Sequence, residues 1–99
     1  MHVIAKKALV EFYEKHAAAK VPLLNWHKVA ENCKAQNLME LKQTFAGVDY
    51  VPENQYVFNI GGNNYRLIAD VRFGWQKMFI RYIFTHEEYD EWTQENRRK

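Results

Sequence analysis

Apolar residues recur at every second position from Tyr56 to Phe84, the period of an extended strand, and glycine-bearing breaks at Gly61-Gly62 and Gly74-Trp75 divide the run into three strands. One face collects Tyr56, Phe58, Ile60, Tyr65, Leu67, Ala69, Val71, Phe73, Met78, Ile80, Tyr82 and Phe84, and carries no formal charge. The other collects Val57, Asn59, Arg66, Ile68, Asp70, Arg72, Lys77, Phe79, Arg81 and Ile83. Immediately after this run, Thr85-His86-Glu87-Glu88 has the form Thr-x-x-Glu, a capping box that makes Thr85 the N-cap and His86 the first residue of a helix. That helix is expected to run to about Gln94 and to end in a mobile basic tail, Arg97-Arg98-Lys99.

Upstream, the short β-branched stretch Met1 to Ile4 predicts a strand that joins the main sheet. Ala5, Ala8, Leu9, Phe12, Tyr13 and His16 then recur at helical spacing, with Lys6, Lys7, Glu11 and Glu14 turned away. Ala17 to Lys20 reads as a link, and Pro22 suits the first turn of a second helix whose stripe is Leu23, Trp26, Ala30 and Cys33, with His27 and Lys28 pointing outward. A short connection predicts a helical hairpin laid on the uncharged face of the sheet. From Asn37 the pattern weakens: Met39 to Phe45 is one helical turn or an extended stretch, and Gly47 to Asn54 reads as a loop. The expected fold class is therefore α+β, with an N-terminal strand and helical hairpin packed on an antiparallel sheet of three main strands, then a C-terminal helix, all in one domain spanning 1–99.

Turn register decides which charged residues meet. With Gly74 and Trp75 at the centre of the second turn, Phe73 faces Gln76, Arg66 faces Ile83 and Ile68 faces Arg81, so that Arg66 and Arg81 are diagonal neighbours roughly 7 to 8 Å apart. With Gly62-Asn63 as the first turn, Asn59 faces Arg66; a slip to Gly61-Gly62 puts Val57 there instead. Two arginines close together in mid-strand repel. The plain explanation is a solvated face in which Arg66 or Arg81 pairs with Asp70; the alternative is an anion site, since guanidinium forks match phosphate oxygens. His86, held at the mouth of the strand that carries Arg81, favours the alternative, and helical spacing puts Tyr89 and Asp90 on its side. Tyr89 and Trp92 also fit a packing role, and Lys42 and Lys77 fit either an extension of the basic patch or ordinary solvated lysines.

Composition narrows this only a little. At 99 residues, 47% hydrophobic and 26% charged, the chain has material for one modest core. The net charge of +2 allows a nucleic-acid partner but requires its affinity to come from a local patch. Cys33 is the only cysteine, and His2, His16, His27 and His86 are scattered without metal-ligand spacing, so no metal or cofactor is expected. No apolar run is long enough for a signal or a membrane span, which predicts a cytoplasmic protein.

The runs Tyr56-Val57-Phe58-Asn59-Ile60-Gly61-Gly62-Asn63, Tyr65-Arg66-Leu67-Ile68 and Phe79-Ile80-Arg81-Tyr82-Ile83-Phe84-Thr85-His86-Glu87-Glu88-Tyr89-Asp90 resemble HigB-type toxins of bacterial toxin–antitoxin pairs, and the resemblance extends to Met1-His2-Val3-Ile4 and Leu41-Lys42-Gln43-Thr44-Phe45. It implies the RelE/ParE superfamily fold and cleavage of mRNA, commonly on the translating ribosome, restrained by a helix-turn-helix antitoxin of the HigA type. Asn63, Arg66, Arg81, His86 and Tyr89 fall on positions that match its pattern, which implies a catalytic set of Arg66, Arg81, His86 and Tyr89 with Asn63 contacting RNA; Asn59, Arg72 and Lys77 are added as RNA contacts from their place on the same face. Where the RelE branch supplies lysines from the preceding strand, this chain has Val57 and Asn59, and the acid and base roles stay undivided between His86 and Tyr89. A patch of Arg66, Arg72, Lys77 and Arg81 grips few phosphates, so another body, such as a ribosome, is expected to present the strand. A non-catalytic module that docks RNA, a ribosomal surface or a protein on the same arginines is the rival reading, as is a gyrase-directed relative.

Overall fold

A computed structural model describes residues 1–97, so Arg98 and Lys99 of the expected tail lie outside the described residues. The elements are β1 (His2–Ile4), α1 (Lys7–Lys15), a 3-10 turn at Ala17–Ala19, α2 (Lys20–Asn32), α3 (Leu38–Thr44), β2 (Asp49–Val51), β3 (Gln55–Ile60), β4 (Tyr65–Arg72), a 3-10 turn at Phe73–Trp75, β5 (Lys77–Thr85) and α4 (His86–Arg97).

The sheet has five strands in the order β1-β5-β4-β3-β2, not three. It is mixed and not purely antiparallel, because β1 joins β5 in parallel register, His2 beside Lys77 and Val3 beside Met78. The extra strand β2 lies inside the segment expected to be a loop and pairs Tyr50 with Tyr56 along the edge of β3. Its turn back into β3 uses Glu53 and Asn54 at positive φ of 75° and 63°, a conformation that alternation cannot announce.

The uncharged face is the core face through most of its length. Leu9, Leu23, Trp26, Ala30 and Leu41 from the three N-terminal helices, with Cys33 just past the end of α2, pack on Tyr56, Phe58, Ile60, Leu67, Ala69, Val71, Met78 and Ile80. Phe58 meets Trp26 and Phe45 edge-to-face at 5.3 and 5.0 Å, a geometry that aromatic quadrupoles favour, and Trp26 and Phe45 are tilted to each other at 6.3 Å. Asn37 caps α3 by accepting from the Glu40 amide at 2.9 Å, which settles Leu38 to Thr44 as helix. Ala5 does not belong to the α1 stripe: it is exposed at φ 75° and turns the chain out of β1.

The largest departure is in β5. From Arg72↔Lys77 to Ala69↔Ile80 the ladder follows the register expected from the Gly74-Trp75 turn, but the next pair is Ile68↔Tyr82. Arg81 is left without a partner, a β-bulge that adds one residue and inverts the alternation beyond it. Arg66 therefore faces Phe84, not Ile83, and Ile68 faces Tyr82, not Arg81. Ile83 packs against the core, while Tyr82 and Phe84 move to the opposite face.

On that opposite face α4 lies against β4 and β5, and it extends to Arg97, beyond the expected end near Gln94. Val57 and Ile68, assigned to this face, are nevertheless buried at 3% and 0% exposure.

His27 is half-buried instead of turned outward, and burial lowers its pKa; the Lys6 charge acts in the same direction and the Glu31 carboxylate against it. With the folded-state value below the unfolded one, the unfolded chain takes up the proton first. The His27 contribution to stability is then complete above about pH 6.5 and is lost as the pH falls through the lower folded-state value. Urea unfolding measured between pH 4 and 8 is expected to show this acid-side loss, and His27→Gln is expected to flatten it.

Candidate functional site

The site is built where β4, the end of β5 and the start of α4 meet. Thr85 ends β5 and caps α4: its Oγ1 accepts from the Glu88 amide at 3.3 Å, and the Glu88 carboxylate accepts from the Thr85 amide at 2.9 Å. This reciprocal pair is the expected capping box, and it makes His86 the first residue of the helix. The His86 amide donates to the Asn64 carbonyl at 3.1 Å, so the helix start is also tied to the β3–β4 turn that carries Asn63. The His86 Nδ1 lies 3.2 Å from the Asp90 carboxylate one turn along, both side chains being more than half exposed. Helical spacing puts Asp90 on this side without naming a partner; the partner is His86.

Arg66 stands at the same end. Its Nη1 donates to the Tyr65 carbonyl at 3.1 Å, and its guanidinium carbon lies 5.4 Å from the Tyr89 ring centroid, in cation–π range. Tyr89 stacks on Trp92 at 6.0 Å, and Trp92 in turn meets Phe84 and Tyr82, each at 6.0 Å. Tyr82 and Phe84 stack on each other at 5.3 Å. This aromatic wall supports Arg66 from the side. Periodicity hides it, because Tyr82 and Phe84 count as core residues until the bulge at Arg81 is known.

The second cationic group is separate. Asp70, only 6% exposed, has its Oδ1 2.7 Å from Arg72 Nε and its Oδ2 3.1 Å from Arg72 Nη2. Arg81 reaches the same Oδ2 at 3.6 Å. Arg66 takes no part in this group, and the diagonal neighbour of Arg66 across the ladder is Tyr82, not Arg81. The expected Arg66–Arg81 pair is thus resolved into two stations along β4: Arg66 with Tyr89 and His86 at one end, and Arg81 with Asp70 and Arg72 further along. Lys77 faces Arg72 across the ladder and extends the second station.

Asn59 lies directly opposite Arg66, as the Gly62-Asn63 register requires. Its side chain lies against Gly47, where a β-carbon would sit 2.6 Å from the Asn59 amide nitrogen, so a larger residue there would make the Asn59 side chain shift. Asn63 is exposed in the turn above. The surface is open. A hollow of about 530 Å³ between Asn25, Lys28, Val29, Asn32, Cys33, Lys34 and Thr44 lies on the α2–α3 side and holds none of these residues. Among the described residues no group of three or more histidine, cysteine, aspartate or glutamate side chains is gathered to hold a metal ion, and no helix is long and apolar enough to cross a membrane.

The class of protein is given by the sequence that builds this α+β scaffold: residues 19–92 match the family model described as the HigB toxin, RelE-like toxic component of a toxin-antitoxin system. The mRNA interferase toxin HigB of Escherichia coli strain K12 is 37% identical over 100% of this chain and 97% of its own length. The mRNA interferase HigB of Shigella flexneri matches to the same extent, and that of Escherichia coli O6:H1 is 30% identical over 94% of this chain and 92% of its own. The chain belongs to the HigB toxin family.

Because the cap is what fixes the helix start, Thr85→Ala is expected to lower stability by about 0.5 to 2 kcal/mol in chemical denaturation. It is also expected to loosen the His86 imidazole, read as a loss of the nuclear Overhauser contacts between His86 and the Asn63-Asn64 turn.

Proposed function

We propose that residues 1–99 form one RelE-like toxin domain that acts as an mRNA interferase, a metal-independent endoribonuclease. The observation that carries this reading is the Arg66 guanidinium held 5.4 Å from the ring of Tyr89, which lies three residues along α4 from its first residue, His86. The reaction it suits is attack of a ribose 2′-hydroxyl on the adjacent phosphate. A 2′-O–P bond forms, the P–O5′ bond breaks, one proton leaves the 2′-hydroxyl and another reaches the departing 5′-oxygen.

Arg66 stabilises the charge that develops on the phosphate oxygens. His86, its Nδ1 engaged by Asp90, presents Nε2 to accept the 2′-hydroxyl proton, the carboxylate supporting the imidazolium that forms; Tyr89 then protonates the 5′-oxygen. Arg81, shared with Asp70, binds a neighbouring phosphate, as do Arg72 and Lys77, and Asn59 and Asn63 contact the strand near Arg66. So few free cations give weak grip on free RNA, and a translating ribosome supplies the extended strand. Action is in the cytoplasm, and a helix-turn-helix antitoxin of the HigA type silences it by covering this exposed face or barring its access to the ribosome.

The test compares purified protein on one mRNA with and without ribosomes. Strong cutting is expected on the translated message and weak cutting on the free one. Arg66→Ala is expected to lose about 2.7 to 4 kcal/mol of transition-state stabilisation, roughly 10² to 10³ in rate, with Arg66→Lys failing to restore it because lysine lacks the fork. Arg81→Ala is expected to lose less, mainly in KM. A fully active Arg66→Ala protein of normal stability removes this site. With His86 as base, His86→Gln is expected to slow cutting more than it weakens RNA binding, read as a fall in kcat at a nearly unchanged RNA affinity.

A further inference from the structure

The β4–β5 turn displays a tryptophan that the fold does not use. Trp75 is 68% exposed, whereas its neighbours are fixed. Phe73 turns inward to meet Tyr56 edge-on at 5.7 Å. Gln76 adopts a left-handed conformation at φ 53°, its amide donates to the Phe73 carbonyl at 3.1 Å, and its side chain donates to the carbonyls of Ala35 at 2.8 Å and Phe73 at 2.9 Å. The turn is therefore anchored to the segment between α2 and α3 and to the core. An indole that contributes nothing to the core is held on a rigid support, and a large apolar ring left in water on a rigid support is a favourable surface for a planar partner.

The surroundings of the ring favour a nucleic-acid base. Trp75 lines a shallow hollow of about 360 Å³ with Asn54, Val71, Arg72, Phe73 and Gly74. Arg72 and Lys77 flank the turn as a cross-strand pair, and Asp70 is the one carboxylate in ion-pair range of Arg72 and Arg81 among the described residues. Three cations around one carboxylate leave this end of the face positive. Aromatic rings interleaved with cations are how single-stranded RNA is gripped without base-specific hydrogen bonds, and the Asn54 amide adds a donor and an acceptor for a base edge. From Arg66 to Arg72 the strand spans roughly 20 Å at about 3.3 Å per residue, so the indole lies several nucleotides from the Arg66 station.

We propose that Trp75 is a stacking platform for one base of the substrate RNA, several nucleotides from the scissile phosphate, with Arg72 and Lys77 neutralising the phosphates beside it. This role rests on the ribonuclease reading and adds a second point of attachment that sets how the strand lies across the site. Trp75 does not touch the reacting atoms, so its contribution is to KM.

The experiment uses the full chain on ribosomes programmed with mRNAs that carry a single abasic nucleotide at successive positions around the cut. Trp75→Ala is expected to lower kcat/KM roughly 5- to 150-fold, through KM, at unchanged stability, with Trp75→Tyr close to the parent. One abasic position should cost the parent as much as Trp75→Ala does, and cost Trp75→Ala nothing further. Equal kcat/KM for parent and Trp75→Ala overturns the proposal, as does a loss coupled to no abasic position, which assigns the indole to the ribosome. Full cutting by Trp75→Ala with lost neutralisation by the antitoxin also overturns it and makes the ring a protein contact. A protein that cuts no RNA, yet whose fluorescence is quenched by a single-stranded oligonucleotide in the parent and not in Trp75→Tyr, keeps the stacking platform and removes the nuclease reading; absence of both removes both.

Discussion

One unpaired residue, Arg81, determines what the functional face is made of. Up to Ile80 the strands β4 and β5 pair as their turn dictates; with Arg81 bulged, every later side chain of β5 changes face. Ile83 goes into the core beside Leu67, and Tyr82 and Phe84 go out to Trp92 on α4. In regular pairing, Tyr82 and Phe84 would crowd α1 and α2, and α4 would have an isoleucine in place of an aromatic shelf. The shelf is what lets α4 lie against the sheet with Tyr89 under Arg66. The bulge and the capping box at Thr85 thus act in series: one supplies the surface on which the helix rests, the other fixes the residue at which it starts.

Electrostatics then divides the face. Like charges brought together on a sheet need either a counter-ion or distance, and this chain uses both. Asp70 is nearly buried and takes Arg72 and Arg81, while Arg66 stays one station away against an aromatic ring, where the quadrupole offsets its charge without neutralising it. A guanidinium already committed to a carboxylate is a weaker lure for phosphate than one resting on a ring. This difference is the reason the proposed mechanism sets Arg66, and not Arg81, at the scissile phosphate.

Features set by local chemistry are legible in the sequence. Thr-x-x-Glu names the helix start and the alternation of β3 and β4 names the core face, while the first turn is narrowed to two registers, of which the structure adopts the one with Asn59 opposite Arg66. The stripe Leu23, Trp26, Ala30 and Cys33 names the buried side of α2. Features set by a break in periodicity are not legible. A bulge leaves no compositional mark, so regular alternation puts Tyr82 and Phe84 on the wrong face and pairs Arg66 with Arg81. The strand β2 is three residues long on an edge, too short for alternation to register, and its left-handed turn at Glu53 and Asn54 contains no glycine. Trp75 reads in the sequence only as a turn position, because exposure is a property of the tertiary structure. The resemblance to HigB-type toxins rests on the runs that form β3, β4, β5 and the start of α4, and on shorter ones in β1 and α3; the family match over residues 19–92 includes all of these but β1.

The central claim is that this face cleaves RNA through the substrate's own 2′-hydroxyl, with Arg66, His86 and Tyr89 and without an external nucleophile. The chemical nature of the cut ends tests it most directly. Mass analysis of the fragments from a defined mRNA is predicted to give a 2′,3′-cyclic phosphate, or the 3′-phosphate from its opening, on the upstream piece and a 5′-hydroxyl on the downstream piece. A 3′-hydroxyl paired with a 5′-phosphate would mean that water attacked from outside, and would contradict the account.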